Sequence, residues 1–390
     1  MAGRLTIIGG GVMGLMTAYY AAPLAESVTV LDRSRVGDPA TPSFGLTRSF
    51  RNDYRDPEYA RLAFEALRLW RDLQQNCAER LLVECGCLNL VKASVTPELD
   101  TDSTYAVQSH AILEQLRLRR ASFSGPGLRE RFPQFDVDGG WLDVDAGFVD
   151  VTAATRALRS ALRARGVVVA ENDAPRGIIR SGRKWTVATD YGSVESDVLV
   201  ITAGLGTNDV LGLLPRCSAR FPLRRHRPTP SKYFIPPAAS RAMFTEAAMP
   251  VFAYLDIGIY GHPMYEGKTP GVKIGFYNPP GVERTPSRIG SVEDFVAECV
   301  PGLRDAEVVD VVAASGVDGC WYDLVADEDF ILGAVPGADG VYAGVGWHGT
   351  GYKFAPWVGR VLAQLAMQQG TVYDIGRFAP ARFAEEGVLA

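Results

Sequence analysis

The hydrophobic pattern at the start of the chain predicts a strand, a tight turn and a helix. Leu5 to Ile8 form a short continuous apolar run, as expected of a parallel strand that is covered on both faces. The glycine-rich segment GGGVMG follows and leads into an apolar helix, which Pro23 should end near Ala22. A second apolar run, SVTVLD, ends in Asp32. This order of elements is typical of the first unit of a parallel α/β sheet.

Two later segments show the periods of a strand and of a helix. In GVKIGFY, Lys273, Gly275 and Tyr277 alternate with apolar residues, which predicts a strand that carries these three on one face. In DAGFVDVTAATRALRSALRARGVVV, the pattern predicts a loop, an amphipathic helix and a strand.

The C-terminal segment GVGWHGTGYKFAPWVGRVLAQLAMQQG predicts a glycine loop that leads into the N-terminus of a helix. Three glycines precede an apolar run of helical period, and Pro356 lies near its first turn, where proline is favoured. In contrast, the basic run from Arg224 to Arg227 is followed by Pro228 and Pro230, which predicts a solvated loop.

Length and charge narrow the class of protein. A chain of 390 residues exceeds the roughly 100–200 residues of a typical domain, so we expect two domains, or one large domain with an inserted second. Its 40 Lys and Arg against 45 Asp and Glu give a net charge of −5, which offers no general attraction to nucleic acid or anionic lipid. No apolar stretch approaches the ~18–20 residues that span a bilayer. We therefore expect no nucleic-acid partner and no membrane association.

Cysteine usage indicates a reducing compartment. The six cysteines include no CxxC motif and no metal-like pairing with the four histidines. Reduced thiols in the cytoplasm are therefore expected rather than a disulfide framework, and no metal site is predicted.

The first glycine turn carries the clearest chemical signal. Gly9, Gly11 and Gly14 form GxGxxG between the predicted strand and helix, where glycine permits a tight turn and close approach to a pyrophosphate. The motif alone is weak, but Asp32 stands close to the ~20-residue spacing expected of the carboxylate that binds ribose hydroxyls. The pattern predicts dinucleotide binding and leaves NAD and FAD both open.

Several separated segments together resemble one enzyme family. They are PSFGLTRSFRNDYRDPEYARLAFEALRLW, DVLVITAGLGTNDVL, GVKIGFY, Cys320 and GWHGTGYKFAPWVGRVL, in addition to the glycine motif and Asp32. In order and spacing they resemble the amine-oxidising flavoproteins of the D-amino acid oxidase superfamily, particularly monomeric sarcosine oxidase, N-methyltryptophan oxidase and the piperideine-carboxylate oxidase of nikkomycin biosynthesis. The likeness covers nearly the whole chain.

The resemblance implies an α/β fold with a Rossmann-like FAD-binding domain and a discontinuous, antiparallel-sheet substrate domain of α+β type. From the order of motifs we expect the FAD-binding domain at 1–85, 145–215 and 325–390. The substrate domain is expected at 86–144 and 216–324.

The resemblance also assigns roles to four cations, each of which could otherwise be a surface charge. Arg51 matches the arginine that holds a substrate carboxylate, and Lys353 matches its second carboxylate ligand, so the two would form a clamp. Arg48 matches a companion arginine beside the flavin. Lys273 matches the lysine above the flavin, where a fixed cation favours reduction of O2.

Aromatic candidates complete the implied active site. Trp347 fits an aromatic wall over a planar ring or a core filler, and Tyr260 fits a pocket tyrosine or a packed aromatic. Tyr277 and Thr350 stand where sarcosine oxidases carry histidines, which argues mildly against sarcosine itself as substrate. A general-base role for His348 is a further alternative, although a lone histidine is more often only hydrogen-bonded.

Cys320 matches the cysteine that forms a thioether with the flavin, so covalent FAD is expected. The flanking Trp321, Tyr322 and Asp323 depart from the sarcosine oxidase pattern and keep a non-covalent flavin open. The residues expected to bind the cofactor are Gly9, Gly11, Val12, Met13, Gly14, Asp32, Arg33, Thr47, Arg48, Ala203, Gly204, Cys320, Gly349, Gly351, Tyr352 and Lys353.

The implied activity is oxidation of the C–N bond of a secondary or cyclic amino acid to an imine, with O2 reduced to H2O2. The expected partners are therefore a small amino acid or cyclic imino acid and O2, and a monomer is expected. Three alternatives remain: an FAD-dependent amino acid dehydrogenase with another acceptor, an NAD-dependent dehydrogenase, and a non-catalytic flavin-binding partner protein.

Overall fold

The computed structural model describes residues 3–311 and 321–383. The chain divides into two compact units. The first unit comprises Met1–Phe44, Thr152–Arg227 and Cys320–Ala390, and the second comprises Gly45–Val151 and Pro228–Gly319.

The first unit is built on a six-stranded sheet whose central strands are parallel. In spatial order its strands are β21 (Ile331–Ala334), β22 (Val341–Val345), β13 (Val198–Ile201), β1 (Arg4–Ile8), β2 (Ser27–Leu31) and β9 (Val168–Ala170). Only the pairing of β21 with β22 is antiparallel in this sheet. β1 is buried along Leu5–Ile8, as the apolar run predicts.

Two apolar helices cross closely on this sheet. Helix α1 (Val12–Ala21) begins directly after the glycine turn, and α8 (Ala355–Ala366) begins after the C-terminal glycine loop. They meet at Gly359, where an added Cβ would lie 2.5 Å from the backbone carbonyl carbon of Met16. Glycine is therefore required for this distance between the helix axes.

The remaining elements of the first unit flank this sheet. The helices are α5 (Val151–Ala164) and α6 (Thr207–Leu211). A small antiparallel sheet contains β10 (Pro175–Ser181), β11 (Lys184–Thr189) and β12 (Gly192–Ser196), and a two-stranded ribbon pairs β14 (Arg224–His226) with β20 (Tyr322–Leu324). Short 3₁₀ turns lie at Gly204–Gly206, Gly351–Phe354, Gly376–Phe378 and Pro380–Phe383. The loop predicted for the basic run is therefore wrong over Arg224–His226, because β20 supplies a pairing partner from far along the chain.

The second unit is built on an eight-stranded, mostly antiparallel sheet. In spatial order its strands are β19 (Glu307–Asp310), β15 (Lys232–Ile235), β18 (Val272–Phe276), β17 (Ile259–His262), β16 (Val251–Tyr254), β5 (Cys87–Val91), β7 (Gly139–Asp143) and β6 (Arg120–Ser124). One face of β18 carries Val272, Ile274 and Phe276 into an apolar core that also contains Phe252 and Phe295. The opposite face of β18 carries Lys273, as the alternating pattern predicts.

The other elements of the second unit are helices and a small sheet. The helices are α2 (Pro57–Gln75), α3 (Tyr105–Gln115), α4 (Gly125–Arg131) and α7 (Val292–Cys299). The small sheet contains β3 (Thr47–Phe50), β8 (Gly147–Asp150) and β4 (Leu82–Val83). Short 3₁₀ turns lie at Thr101–Ser103, Arg241–Phe244, Leu255–Ile257 and Pro301–Leu303. Helix α2 begins sharply because Asp56 accepts the backbone N–H of Glu58 and Pro57 occupies the first turn.

The limits of the two units differ from the domain limits expected from the sequence. Residues 45–85 group with the second unit, because β3 and β4 both pair with β8. Residues 216–227 group with the first unit through the pairing of β14 with β20. The mixed α/β fold class is confirmed, while the functional assignment of each unit stays a prediction.

Within the described parts of the chain, no helix is both long enough and apolar enough to cross a membrane. Among the same residues, no group of three or more His, Cys, Asp or Glu side chains is arranged to hold a metal ion.

The helix crossing at Gly359 gives a testable prediction for stability. Gly359→Ala should lower the free energy of unfolding by about 1–3 kcal/mol, because the new methyl group meets backbone that cannot move alone. Urea unfolding measures the change. Gly370→Ala is the matched control, since an added Cβ there has no neighbour within 4 Å. Equal stability of the two variants would contradict the prediction.

Candidate functional site

The glycine turn after β1 packs so closely against neighbouring backbone that no side chain fits at Gly9 or Gly14. Gly9 has a φ of 111°, and an added Cβ would lie 2.5 Å from the carbonyl oxygen of Thr202. At Gly14 the added atom would lie 1.9 Å from the carbonyl oxygen of Gly9. Only glycine fits either position.

The N-terminus of α1 lacks a local cap. Gly11 stands at the N-cap with no side-chain hydrogen bond, and the first turn has no acidic residue. The Val12 N–H donates to Ser43 Oγ at 3.0 Å, and Met13 and Gly14 complete the turn. A helix whose first turn has no acidic residue offers backbone N–H groups and partial positive charge, which suit a phosphate.

Asp32 lies beside this turn at the end of β2. Its Oδ2 accepts the Gly10 N–H at 2.5 Å and its Oδ1 accepts the Ser34 N–H at 2.7 Å. Burial raises the pKa of the Asp32 carboxyl, and these two backbone bonds oppose the rise. Each oxygen retains acceptor capacity for a hydroxyl donor. The next residue, Arg33, is exposed.

The end of β13 meets the same turn. Thr202 Oγ1 donates to the carbonyl of Gly9 at 2.9 Å, and an added Cβ at Gly9 would lie 2.8 Å from the Ala203 nitrogen. Gly204 follows with a φ of 54°. The structure therefore brings the predicted cofactor residues Ala203 and Gly204 to the glycine turn.

The C-terminal glycine loop lies close to α1. At Gly351 an added Cβ would lie 2.6 Å from Trp347 Cβ and 3.1 Å from Met13 Cε. Gly349, with a φ of 73°, faces the ring of Tyr322, which an added Cβ would meet at 2.3 Å. The loop thus joins the predicted cofactor residues of α1.

Lys353 and Trp347 are both fixed within this loop. The Lys353 ammonium is buried, with 6% of the residue exposed, and donates to the Thr350 carbonyl at 2.8 Å. The Trp347 ring packs edge-on against Phe330, with centroids 5.2 Å apart. Tyr352, which directly precedes Lys353, is partly buried.

His348 has a structural role at its Nε2 atom. This nitrogen accepts the Val325 N–H at 3.1 Å, so it carries no proton in this bond. Burial lowers the pKa of the His348 imidazole to about 4, with smaller opposing effects of Asp327 and Asp329. A general base acting through Nε2 is therefore inconsistent with the geometry.

Lys273 lies on a polar face of the eight-stranded sheet. It stands directly opposite Tyr233 in β15 and His262 in β17, so these three side chains share one face. Its Nζ lies 5.8 Å from the centroid of the Tyr260 ring, and only 8% of the residue is exposed. Tyr260 in turn hydrogen-bonds Ser231 through their hydroxyl groups at 2.9 Å.

His262 belongs to this face and was not singled out from the sequence. Its Nδ1 is 2.8 Å from Thr47 Oγ1. Burial, with Lys273 and Arg48 nearby, holds the pKa of the His262 imidazole well below its ordinary value, so the ring is neutral. Arg48 lies in β3, and its guanidinium packs against Gly45. The period-two spacing of Tyr260 and His262 in IYGHP is the sequence signal that could have identified His262.

Arg51 lies in a second cluster of the same unit, directly after β3. Its Nη1 donates to the Asp53 carboxylate at 2.8 Å, to the Asp53 carbonyl at 2.7 Å and to Tyr105 Oη at 3.3 Å. The guanidinium also lies over the Tyr54 ring, 4.7 Å from its centroid. Burial is the largest single effect and works against the charge, but Asp53, Tyr105 and Tyr54 together hold the pKa of Arg51 above its ordinary value.

Asp53 makes Arg51 part of a buried ion pair. The Asp53 side chain is 1% exposed and also accepts a short hydrogen bond from Asn89 Nδ2. Nearby Asp143 accepts the Asn52 N–H at 2.6 Å, and burial and the charge of Asp53 raise the pKa of its carboxyl. Sequence analysis did not identify Asp53, although it stands two residues after Arg51.

Tyr277 lies directly after β18, within electrostatic range of Tyr54. It continues the face that carries Lys273. It is close enough to Tyr54 to contribute to the raised pKa of that phenol, which is caused mainly by burial. The structure thus groups Lys273, Tyr260, Thr47 and Arg48, and separately groups Arg51 with the aromatic rings around it.

The predicted flavin attachment point, Cys320, lies outside the described residues. The first unit holds Lys353, Trp347 and the glycine turn, and the second holds the other catalytic candidates.

Comparison with known families defines the class of protein. Residues 4–365 match the DAO family of FAD dependent oxidoreductases. Because this match covers most of the chain, the chain belongs to that family and is an FAD-dependent oxidoreductase.

Individual relatives agree with this class. The chain is 29% identical over 406 residues to the peroxisomal sarcosine oxidase of Homo sapiens, covering 98% of this chain and 96% of that protein. It is 26% identical to the N-methyl-L-tryptophan oxidase of Yersinia pestis (strain Pestoides F), covering 97% and 99%. The solved open form of NikD, an unusual amino acid oxidase essential for nikkomycin biosynthesis, shares its fold with a TM-score of 0.74 at 22% identity, covering 97% of each chain. The predicted superfamily is confirmed.

The residues of the first unit fit FAD. The side-chain-free turn at Gly9 and Gly14 and the first turn of α1, which has no acidic residue, suit a pyrophosphate. Asp32, fixed by two backbone bonds, retains acceptor capacity for ribose hydroxyls.

The Arg51–Asp53 pair gives a testable prediction. Arg51→Met should lower the free energy of unfolding by about 3–5 kcal/mol, because it leaves the Asp53 carboxylate buried without its counterion. Adding Asp53→Asn to the same chain should restore part of this loss. Urea unfolding of both single variants and the double variant measures the coupling.

Arg68→Met is the matched control for this cycle. Arg68 pairs with Glu65 at 3.0 Å on α2, where 64% of the Arg68 side chain and 23% of the Glu65 side chain are exposed, so the expected loss is at most about 1 kcal/mol. Additive effects at positions 51 and 53 would contradict a coupled pair.

Proposed function

We propose that the protein is an FAD-dependent amine oxidase that acts on a secondary or cyclic amino acid and uses O2 as electron acceptor. The observation that carries the proposal is Lys273, a lysine buried among hydroxyl groups and a neutral imidazole on the polar sheet face. Burying an ammonium group costs free energy, and such a cost is typical of a functional site.

Bound FAD would supply the redox chemistry: the amine would lose a hydride from the C–H next to its nitrogen and a proton from the nitrogen to give an imine, and the two electrons and two protons would reduce O2 to H2O2. The chain itself supplies charge and orientation. Lys273 is proposed to provide a fixed positive charge for the anion that forms as O2 is reduced. The neutral His262 ring beside it adds no competing charge.

The buried cations and the family support this substrate class. By the resemblance, Arg51 and Lys353 are each proposed to bind a substrate carboxylate. Every Arg51 hydrogen bond within the described chain leaves from Nη1, so Nε and Nη2 form the edge proposed for the ligand. The relatives named for sarcosine and N-methyl-L-tryptophan both act on amino acids with a secondary amine, which supports this class.

Trp347, Tyr260, Tyr277 and Arg48 are proposed to line the substrate and flavin region, as the resemblance implies. Two alternative functions differ from this proposal in one step each. An FAD-dependent dehydrogenase would also oxidise the amine but would pass the electrons to an acceptor other than O2. A non-catalytic flavin-binding protein would not oxidise the amine.

Anaerobic mixing tests the function. Purified protein should lose its visible flavin absorbance when it is mixed without oxygen with L-proline, L-pipecolate or sarcosine, and the preferred amine should act faster than its uncharged amide. Subsequent exposure to air should restore the absorbance and release H2O2.

Each possible result distinguishes the proposed oxidase from one alternative function. No bleaching by any amine would favour the non-catalytic function, and bleaching without rapid recovery in air would favour the dehydrogenase. Equal rates for acid and amide would remove the carboxylate from the substrate definition.

Covalent attachment of FAD through Cys320 is proposed from the resemblance. After acid precipitation, the yellow colour should stay with the protein pellet. For Cys320→Ser it should move to the supernatant, because oxygen does not replace the thiolate nucleophile. Cys77→Ser is the control, since Cys77 is partly exposed and lies in the second unit. Colour in the supernatant of the unaltered protein would contradict the attachment.

A further inference from the structure

Asp323 is a buried acid that the proposed reaction does not use. It lies in β20 and is 6% exposed. Its carboxylate accepts the Gly346 N–H at 2.9 Å through Oδ2 and the Trp347 N–H at 3.0 Å through Oδ1. Its carbonyl accepts the His348 N–H at 3.3 Å. One residue therefore binds three successive backbone N–H groups.

The bound backbone has a conformation that needs support. Gly346, His348 and Gly349 have φ values of 82°, 52° and 73°. Among these three residues, His348 has the least favourable backbone conformation, because a residue with a side chain disfavours the left-handed region. The bond from the Val325 N–H to His348 Nε2 adds a fourth connection between the β20 segment and the loop.

The charge of Asp323 is stabilised by backbone groups. Burial raises the pKa of this carboxyl to about 6, and the Gly346 and Trp347 N–H groups oppose the rise. Across the ribbon, Asp323 is in register with Arg225, whose guanidinium stacks over Trp321 at 3.6 Å from the ring centroid. A carboxylate that spans two consecutive amides makes charge-assisted bonds, which are stronger than neutral ones.

A chain of hydrogen bonds runs from Asp323 to Lys353. The Trp347 carbonyl accepts the Thr350 N–H at 2.9 Å and the Thr350 hydroxyl at 3.2 Å. The Thr350 carbonyl accepts Lys353 Nζ at 2.8 Å. The position of the buried ammonium thus depends on a turn that begins at the two amides held by Asp323.

We propose that Asp323 is a positioning residue that holds the glycine loop 346–351 and thereby fixes the Lys353 ammonium for a substrate carboxylate. The inference rests on the proposed function for the role of Lys353. The part that concerns the loop stands on the hydrogen bonds alone.

The test compares Asp323→Asn and Asp323→Ala in the holoenzyme. Asparagine has one acceptor oxygen and turns an N–H donor toward the other amide, and alanine loses both bonds. Hydrogen–deuterium exchange of the peptide that covers 346–351 should accelerate, more for alanine than for asparagine. For the preferred amino acid, KM should rise roughly 10- to 100-fold, the range expected for loss of a charge-assisted hydrogen bond.

Matched readouts separate positioning from general damage. The kcat should change less than KM, and the KM of the uncharged amide should stay within about threefold, because the amide does not need the Lys353 charge. Asp327→Asn is the control: this neighbouring acid pairs with Arg382 at 2.7 Å and leaves the loop bonds intact. Its loop exchange and KM should match those of the unaltered protein.

Failure of the inference is distinguishable from failure of the proposed function. If the unaltered protein oxidises the amino acid but Asp323→Ala leaves loop exchange unchanged, or raises the KM of acid and amide equally, the positioning role is wrong. If no amine reduces the unaltered protein, the proposed function fails, and exchange of the loop still decides whether Asp323 holds it.

Discussion

The first unit depends on backbone packed against backbone at the glycine turn. Gly14 approaches the Gly9 carbonyl so closely that no side chain fits, and Gly9 approaches Thr202 in the same way. This contact fixes the start of α1 beside the ends of β1 and β13, and the N–H groups of the helix are presented to a phosphate as a consequence. The crossing of α1 and α8 also depends on a glycine, Gly359, whose lack of a side chain permits close backbone contact. This crossing brings the C-terminal loop to the same helix.

In the second unit, the two faces of one sheet have opposite properties. The apolar face packs on Phe252 and Phe295 and supplies the stability of the unit. The other face carries Lys273, Tyr233 and His262, whose burial is costly unless each polar group has a partner. The apolar face therefore supports a polar face whose side chains are held in register by the strand pairing.

Buried charges in both units are compensated locally. Arg51 has its own counterion in Asp53, and Asp323 has the backbone amides of the glycine loop. A carboxylate ligand at Arg51 would share the guanidinium with Asp53, so the net attraction is weaker than that of an unpaired arginine. The internal partner holds the guanidinium in place.

The sequence by itself determined the elements whose signals are local: the strand, turn and helix from β1 to α1, the place of Asp32, and the face of β18 that carries Lys273. Periodicity and glycine spacing depend on residues that are close together in the chain. These predictions therefore did not require knowledge of any distant segment. Only the tertiary structure decided that Arg224–His226 is a strand, that Asp53 pairs with Arg51, and that Asp323 holds Gly346 and Trp347. Thr47 and His262, 215 residues apart, show the reason most directly. Contacts between distant segments depend on which strands pair and in which register, and neither leaves a pattern in a short stretch of sequence.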